Sequence, residues 1–107
     1  MTNIHTTIDT TVKSNDVVLF MKGTVDAPMC GFSGRSVQIL QNLGVAFADV
    51  NVLASEEMRN GIKEYTNWPT IPQLYVKGEF VGGADIMMEM FQSGELKQLM
   101  ADKGIAA

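Results

Sequence analysis

The 107-residue chain contains one cysteine, Cys30, which lies in the sequence Met-Cys-Gly-Phe-Ser-Gly. A cysteine thiolate can attack a disulfide, and it can also serve as a metal ligand. A single thiol, however, cannot close a disulfide within the chain, and it cannot hold a metal by itself. If Cys30 is functional, we therefore expect it to act together with a thiol supplied from outside.

Ser33 occupies the position at which a Cys-x-x-Cys redox site would carry its second thiol. In a dithiol site the second thiol attacks a mixed disulfide formed at the first one. A serine hydroxyl is not a comparable redox nucleophile, so this step cannot follow at Cys30. Taken alone, Ser33 could help to satisfy the first turn of a helix.

The elements predicted around Cys30 favour a reactive thiol. The apolar run Val17–Met21 is typical of a strand buried on both faces, residues 24–29 form a loop, and a helix is expected to begin just after Cys30. The free N–H groups and partial positive charge of a helix N-terminus favour a thiolate. Lys22 adds a nearby cation, and Gly31 lets the backbone approach a ligand closely. Free cysteines are often core residues, but this setting favours the functional interpretation.

The first half of the chain alternates between helical and strand patterns. Apolar spacing predicts a helix over residues 3–14 before the first strand. The helix after Cys30 is expected to end at Gly44, and a second strand is predicted over residues 45–50. Ser55 is a favourable N-cap for a third helix.

The second half predicts an extended segment and a hairpin. Prolines keep residues 68–72 extended, and strands over 73–77 and 79–81 flank Gly78. A final helical region follows, with a break expected near Ser93-Gly94. The order αβαβαββα predicts an α/β fold with a small mixed four-stranded sheet flanked by helices on both faces. The first two strands should be parallel and the last two antiparallel.

Composition excludes several classes of protein. The chain is 46% hydrophobic, which suits one domain with its own core, and its net charge of −4 argues against a nucleic-acid partner. No apolar run approaches the ~18 residues of a membrane span. The N-terminus shows no targeting pattern, and one cysteine suits a reducing compartment. We therefore expect a cytoplasmic protein, although an organellar protein with its transit peptide removed would look much the same.

Three motifs together resemble those of the monothiol glutaredoxins. They are Cys30-Gly31-Phe32-Ser33 with Lys22 before it, WPTIPQ over residues 68–73, and Gly82-Gly83-Ala84-Asp85. They occur in family order, and the similarity covers residues 4–103. The resemblance implies a thioredoxin-like fold in a single glutaredoxin domain over residues 1–107, and it implies glutathione as the external thiol.

The resemblance also implies how the middle of the γ-Glu-Cys-Gly tripeptide would be held. In glutaredoxins the proline equivalent to Pro72 is cis, and this bond would turn the backbone of Ile71 toward Cys30. The Ile71 N–H and C=O would then pair with the cysteinyl backbone of glutathione like an added strand.

The ends of the tripeptide would meet charged groups and free N–H groups. The N–H groups of Ala84 and Asp85 suit the γ-glutamyl carboxylate, and the Asp85 side chain suits its ammonium. Lys22 and Arg59 are the expected partners of the glycyl carboxylate. Some family members carry a second cysteine where this chain has Ala84, so a mechanism that uses an internal disulfide is excluded here.

Thiol counting then leads to a cluster hypothesis. A 2Fe–2S cluster normally takes four thiolates, and one chain with one bound glutathione supplies two, of which Cys30 is one. Two such halves predict a homodimer bridged by the cluster. The resemblance implies assembly and transfer of iron–sulfur clusters, with BolA-type proteins and iron–sulfur apoproteins as partners.

Two other functions stay open at this stage. One is a glutathione-dependent oxidoreductase that removes glutathione from mixed disulfides with a single thiol. We rank this enzyme second, because monothiol members of this type are usually poor at that reaction. The other is a cluster-free adaptor, which we would expect to have a degraded glutathione site, whereas the motifs here are intact.

Overall fold

A four-stranded mixed sheet lies at the centre of the computed structural model, which describes residues 3–105. The strands run in the order β2-β1-β3-β4, with β1 and β2 parallel and the other neighbours antiparallel. This arrangement confirms the predicted sheet. Its strands are β1 (Val17–Met21), β2 (Ala48–Asn51), β3 (Gln73–Val76) and β4 (Glu79–Gly82).

Helices cover both faces of the sheet, also as predicted. One face is covered by α1 and α3, and the other by α2, α4 and α5. None of the helices in the described range is long and apolar enough to cross a membrane. The helices are α1 (Ile4–Ser14), α2 (Gly31–Leu43), α3 (Glu56–Thr66), α4 (Ala84–Ser93) and α5 (Glu95–Asp102).

Strand β1 divides the core into two clusters, because successive side chains of a strand point to opposite faces. Leu19 and Met21 pack with the cluster formed by α2, α4 and α5. Val18 and Phe20 pack with the cluster formed by α1 and α3. All five residues of β1 are buried, as the continuous apolar run predicted.

The helix ends follow the sequence signals closely. Gly44 caps α2 with a φ of 73°, a left-handed conformation that favours glycine. The Ser55 side chain accepts a hydrogen bond from the N–H of Met58 and caps α3. Gly94 has a φ of 86° and separates α4 from α5, at the predicted break.

The prediction for β2 was wrong at its start. Residues 45–47 lie outside the strand, which begins at Ala48, where parallel pairing with Val18 begins. Val45 is nevertheless buried in the core, so its apolar character reflects packing rather than pairing. A short 3-10 turn, Val52–Ala54, follows the strand, and the Asn51 side chain caps it. In the hairpin, β3 ends one residue earlier than predicted, at Val76, and β4 ends one residue later, at Gly82.

Strand β2 also fixes the loop that leads to Cys30. The Asn51 side chain accepts a hydrogen bond from the N–H of Gly23 at 3.0 Å, and Asp49 accepts one from Val25 at 3.1 Å. The N–H of Met29 bonds back to the carbonyl of Lys22 at 2.9 Å. The cysteine therefore enters α2 from a loop that is held at both its ends.

Candidate functional site

Cys30 lines a cleft of about 480 Å³ at one end of the sheet. Four parts of the chain form its walls: the junction of β1 with α2, one residue of α3, the extended segment before β3, and the start of α4. The lining residues are Lys22, Cys30, Phe32, Lys63, Trp68, Pro69, Thr70, Ile71, Pro72, Gly83, Ala84, Asp85 and Ile86.

Cys30 is the N-cap of α2, and its side chain makes no capping hydrogen bond. The pKa of its thiol is held below the ordinary value, chiefly by the backbone N–H of Ser33. The N–H of Phe32, the charge of Lys22 and the Ser33 hydroxyl lower this pKa further, while burial opposes them. The free N–H groups of the helix start thus favour the thiolate, as predicted.

Ser33 is fully buried beside the thiol. Its hydroxyl oxygen accepts a hydrogen bond from the N–H of Lys22 at 3.0 Å. This bond ties the residue after β1 to the first turn of α2. Ser33 therefore joins two parts of the cleft wall, a role that sequence reasoning missed because the partner is not within the helix.

The extended segment over residues 68–72 forms the wall opposite Cys30. The Ile71–Pro72 peptide bond is cis, as the resemblance implied. The Ile71 side chain is buried against α1 and α3. Within residues 3–105 the backbone N–H of Ile71 has no hydrogen-bond partner, so it can bond to a molecule in the cleft.

Helix α4 begins at the same cleft. Its N-cap is Gly83, which offers no side-chain cap, and the N–H groups of Ala84 and Asp85 have no protein partner in the described range. A Cβ on Gly83 would lie 3.4 Å from the carbonyl oxygen of Pro72 and 3.5 Å from Nε1 of Trp68. These are ordinary van der Waals distances, so the start of α4 lies directly beside the extended segment.

The charges around the cleft are mixed. Lys22 and Lys63 bring two ammonium groups to its rim and Asp85 brings one carboxylate. Within the described part of the chain, none of these three forms an ion pair. They are therefore free to pair with a charged ligand.

The structure brings together six of the seven predicted site residues. Lys22, Cys30, Ile71, Pro72, Ala84 and Asp85 all line the cleft. Arg59 instead lines a second depression with Val52, Leu53, Ser55 and Glu56. Its role in binding glutathione stays a prediction.

Lys63 is a cleft residue that sequence reasoning missed. It stands four residues after Arg59 on α3, and residues at this spacing share one helix face. Helical spacing from Arg59, which the resemblance implied, could therefore have pointed to Lys63. Trp68, the first residue of the WPTIPQ motif, also lines the cleft.

The described residues place no set of metal ligands around Cys30. No group of three or more His, Cys, Asp or Glu side chains in residues 3–105 could hold a metal ion. Two large apolar side chains beside the thiol are exposed to solvent, Met29 at 71% and Phe32 at 62%. The thiol therefore lies next to a surface that another molecule could cover.

The chain is similar to glutaredoxins along most of its length. The family model described as Glutaredoxin matches residues 17–81. Monothiol glutaredoxin-S14, chloroplastic, of Arabidopsis thaliana is 61% identical over 92 residues, which are 86% of this chain and 53% of that protein. The uncharacterized monothiol glutaredoxin ycf64-like of Synechocystis sp. is 59% identical over 93 residues, 87% of each chain. The chain thus spans about half of the Arabidopsis relative.

Solved structures of glutaredoxins share this fold. A monomeric truncated mutant of Trypanosoma brucei 1-C-Grx1 superposes with a TM-score of 0.89 at 47% identity, over 100% of this chain and 96% of that one. Reduced poplar apo GrxS14 superposes with a TM-score of 0.81 at 54% identity, over 92% of this chain and 90% of that one. A buckwheat glutaredoxin–glutathione complex superposes with a TM-score of 0.84 over 97% of this chain and 93% of that one. At 22% identity, this similarity supports only the shared fold. The predicted thioredoxin-like fold is confirmed.

The thiol of Cys30 should titrate below the pKa of the same thiol in the unfolded chain. We expect Lys22→Met to raise this pKa, because the substitution removes a nearby positive charge. The pH dependence of alkylation by iodoacetamide, in folded and urea-unfolded protein, measures both effects. A folded-state pKa below the unfolded one adds stability above the unfolded pKa, and this stability is lost as pH falls through the folded pKa.

Lys97→Met is the matched control for this titration, since Lys97 is an exposed lysine of α5 outside the cleft. It should leave the alkylation profile unchanged. An identical alkylation profile for folded and unfolded wild-type protein would show that the fold does not lower the pKa of the Cys30 thiol.

Proposed function

The chain belongs to the monothiol glutaredoxin family, and we propose that it binds glutathione in the Cys30 cleft and carries a 2Fe–2S cluster for transfer to other proteins. One observation carries the proposal. The chain's lone thiol lies at a cleft whose other walls offer free backbone N–H groups and charges of both signs. These groups match the two ends and the middle of a γ-Glu-Cys-Gly tripeptide.

The cysteinyl part of glutathione would lie along the extended segment. The Ile71 N–H, which lacks a partner in the described residues, would bond to the cysteinyl backbone as a neighbouring strand does. This pairing brings the glutathione sulfur toward Cys30 across the cleft. Pro72 shapes the same wall.

The γ-glutamyl end would lie at the start of α4. The N–H groups of Ala84 and Asp85 would donate to its carboxylate, which the positive end of the helix dipole also favours. The Asp85 carboxylate would accept from the γ-glutamyl ammonium.

The glycyl carboxylate would lie between cations. Lys22 and Lys63 line the cleft and would face this group from two sides. Arg59 lies four residues before Lys63 on α3, and its long side chain would join them when the ligand is bound. Three of the eight Lys and Arg residues of this acidic chain would thus surround the glycyl carboxylate.

The supply of thiolates supports cluster binding across a dimer. Cys30 is the one cysteine of the chain, and bound glutathione would place a second thiolate beside it. Two chains with two glutathione molecules supply the four thiolates that a 2Fe–2S cluster normally takes. The exposed Met29 and Phe32 would be covered when two such cleft mouths meet.

Half of these ligands would be small molecules that exchange with solvent. A cluster held in this way is released more easily than one held by four protein cysteines, which suits a carrier. We propose iron–sulfur apoproteins as recipients and BolA-type proteins as further partners. The proposed location is the cytoplasm, where a reducing environment keeps the thiols free; the Arabidopsis relative, by contrast, is named as chloroplastic.

A second candidate function is removal of glutathione from protein mixed disulfides. The low pKa of the Cys30 thiol favours this alternative. The Cys30 thiolate would attack the glutathione sulfur of the mixed disulfide and release the protein thiolate. A second glutathione thiolate would then attack the Cys30–glutathione disulfide, which yields glutathione disulfide and restores Cys30.

Anaerobic incubation with iron, sulfide and glutathione should give a coloured dimer with two glutathione molecules per cluster. Cys30→Ser should stay colourless, because it removes two of the four thiolates from the dimer. Absorption spectra and analytical ultracentrifugation measure colour and mass together.

S-Methylglutathione is the matched control for this reconstitution, since it keeps both carboxylates of the tripeptide but lacks a thiolate. It should support neither colour nor dimer. A colourless wild-type monomer, or a cluster retained by Cys30→Ser, would refute cluster carriage.

Glutathione affinity should fall when the charges around the cleft are removed one at a time. We expect Lys22→Ala, Lys63→Ala, Arg59→Ala and Asp85→Ala each to weaken binding by about fivefold to tenfold, the loss of one charged contact. Titration calorimetry of the reduced, cluster-free protein measures the glutathione affinity of each variant. Lys97→Ala, on α5, is the control and should bind as wild type; unchanged affinity in all four variants would refute the site.

The oxidoreductase alternative has its own readout. If it holds, wild-type protein should speed the reduction of a glutathione mixed disulfide above the rate with glutathione alone, and Cys30→Ser should remove the gain. A coupled assay of glutathione disulfide formation measures the rate. Equal rates with and without the protein would exclude this function and leave cluster carriage untouched.

A further inference from the structure

Gln73 is a fully buried polar residue next to the cleft, and the proposed function gives it no role. It follows Pro72 directly as the first residue of β3, where it pairs with Phe20 of β1. Its side chain has no exposed surface. Burying an amide costs free energy unless its donors and acceptor find partners, so the partners of Gln73 indicate what it does.

The amide of Gln73 is fully satisfied. Its Nε2 donates to the carbonyl oxygen of Trp68 at 3.2 Å and to that of Thr70 at 3.2 Å. Its Oε1 accepts from the hydroxyl of Tyr75 at 3.2 Å. The orientation of the amide follows from chemistry, because two carbonyl oxygens can only accept and must therefore face the NH₂ group.

The bond to Thr70 also decides where the next N–H group points. The carbonyl of Thr70 and the N–H of Ile71 belong to the same peptide unit, and that unit is trans. In a trans peptide the C=O and N–H point in opposite directions. Because Gln73 holds the carbonyl toward the protein interior, the N–H of Ile71 faces away from the interior.

The direction away from Gln73 is the direction of the cleft. Thr70 and Ile71 both line it, and the Ile71 N–H has no partner within residues 3–105. The bond to the Trp68 carbonyl holds the same segment at a second point, two residues earlier. The two bonds together leave the Thr70–Ile71 peptide little freedom to rotate.

We propose that Gln73 is a positioning residue for ligand binding: its amide orients the Thr70–Ile71 peptide so that the Ile71 N–H is presented to the cysteinyl backbone of glutathione. This inference rests on the proposed function for the identity of the ligand. Gln73 does not touch the ligand itself. Tyr75 supports the arrangement by holding the acceptor side of the amide.

The principal test replaces the amide with an apolar side chain of similar length, Gln73→Met. Without the two donors the Thr70–Ile71 peptide can rotate, and glutathione should bind about tenfold more weakly. The amide signal of Ile71 in ¹⁵N–¹H spectra of the ligand-free protein should shift, and its residual dipolar coupling should change. The amide signals of Ala84 and Asp85, and the alkylation profile of Cys30, should stay as in wild type.

Val45→Ala is the matched control for loss of stability. Val45 is buried in the core cluster on the other face of the sheet from Ile71 and Tyr75, and it lies outside the cleft. It should lower the melting temperature while it keeps glutathione affinity within about twofold and leaves the Ile71 coupling unchanged. If Gln73→Met does not fold, Tyr75→Phe provides a second test. This variant removes the hydroxyl that bonds to Gln73 Oε1 but keeps both N–H donors of the Gln73 amide. Glutathione affinity should then fall by about twofold to threefold, and the residual dipolar coupling of Ile71 should change less than in Gln73→Met.

The outcomes separate two claims: that Gln73 orients the Thr70–Ile71 peptide, and that the protein binds glutathione. An unchanged Ile71 coupling in Gln73→Met, or an equal loss of affinity in Val45→Ala, would overturn the positioning role. Where Gln73→Met does not fold, an unchanged coupling and affinity in Tyr75→Phe would overturn it equally. Failure of the wild-type protein to bind glutathione would overturn the proposed function instead. The couplings of the ligand-free variants would then still show whether Gln73 orients the peptide.

Discussion

Backbone N–H groups that donate to no other backbone group within residues 3–105 meet at the Cys30 cleft from three directions. Those of Phe32 and Ser33 face the thiol at the start of α2 and lower its pKa. Those of Ala84 and Asp85 open at the start of α4, and that of Ile71 opens from the extended segment. Such groups carry fixed partial positive charge and need an acceptor. The cleft thus favours a thiolate and, in the function proposed here, would also bind a peptide with carboxylates at both ends.

Buried polar side chains hold these N–H groups in place. The buried polar residues of the described chain are Ser33, Ser36 and Gln73, and each bonds to the backbone of a residue that lines the cleft. Ser33 accepts from the N–H of Lys22, Ser36 donates to the carbonyl of Phe32, and Gln73 donates to two carbonyls of the opposite wall. A buried polar group costs free energy unless it is satisfied, and these three are each satisfied by a bond to the cleft wall.

Much of this could be predicted from the sequence where the signal is local. The apolar run of β1, the Ser55 cap of α3 and the glycines that end α2 and α4 determined their elements almost to the residue. The start of β2 could not be predicted in this way, because Val45 is apolar for packing while pairing begins only at Ala48. Whether an apolar residue pairs or only packs depends on the neighbouring strand, which local sequence does not contain.

The sequence by itself determined which chemistry is open to Cys30: with no second thiol at Ser33 or Ala84, disulfide exchange at Cys30 would need a thiol from another molecule. Only the tertiary structure decided which other groups share the cleft with that thiol. It placed Lys63 on the rim, left Arg59 in a neighbouring depression, and turned the Ile71 N–H outward through Gln73. The reason is physical. Residue type sets what a group can bond to, but the direction in which a peptide N–H or a long side chain points depends on partners that are distant along the chain.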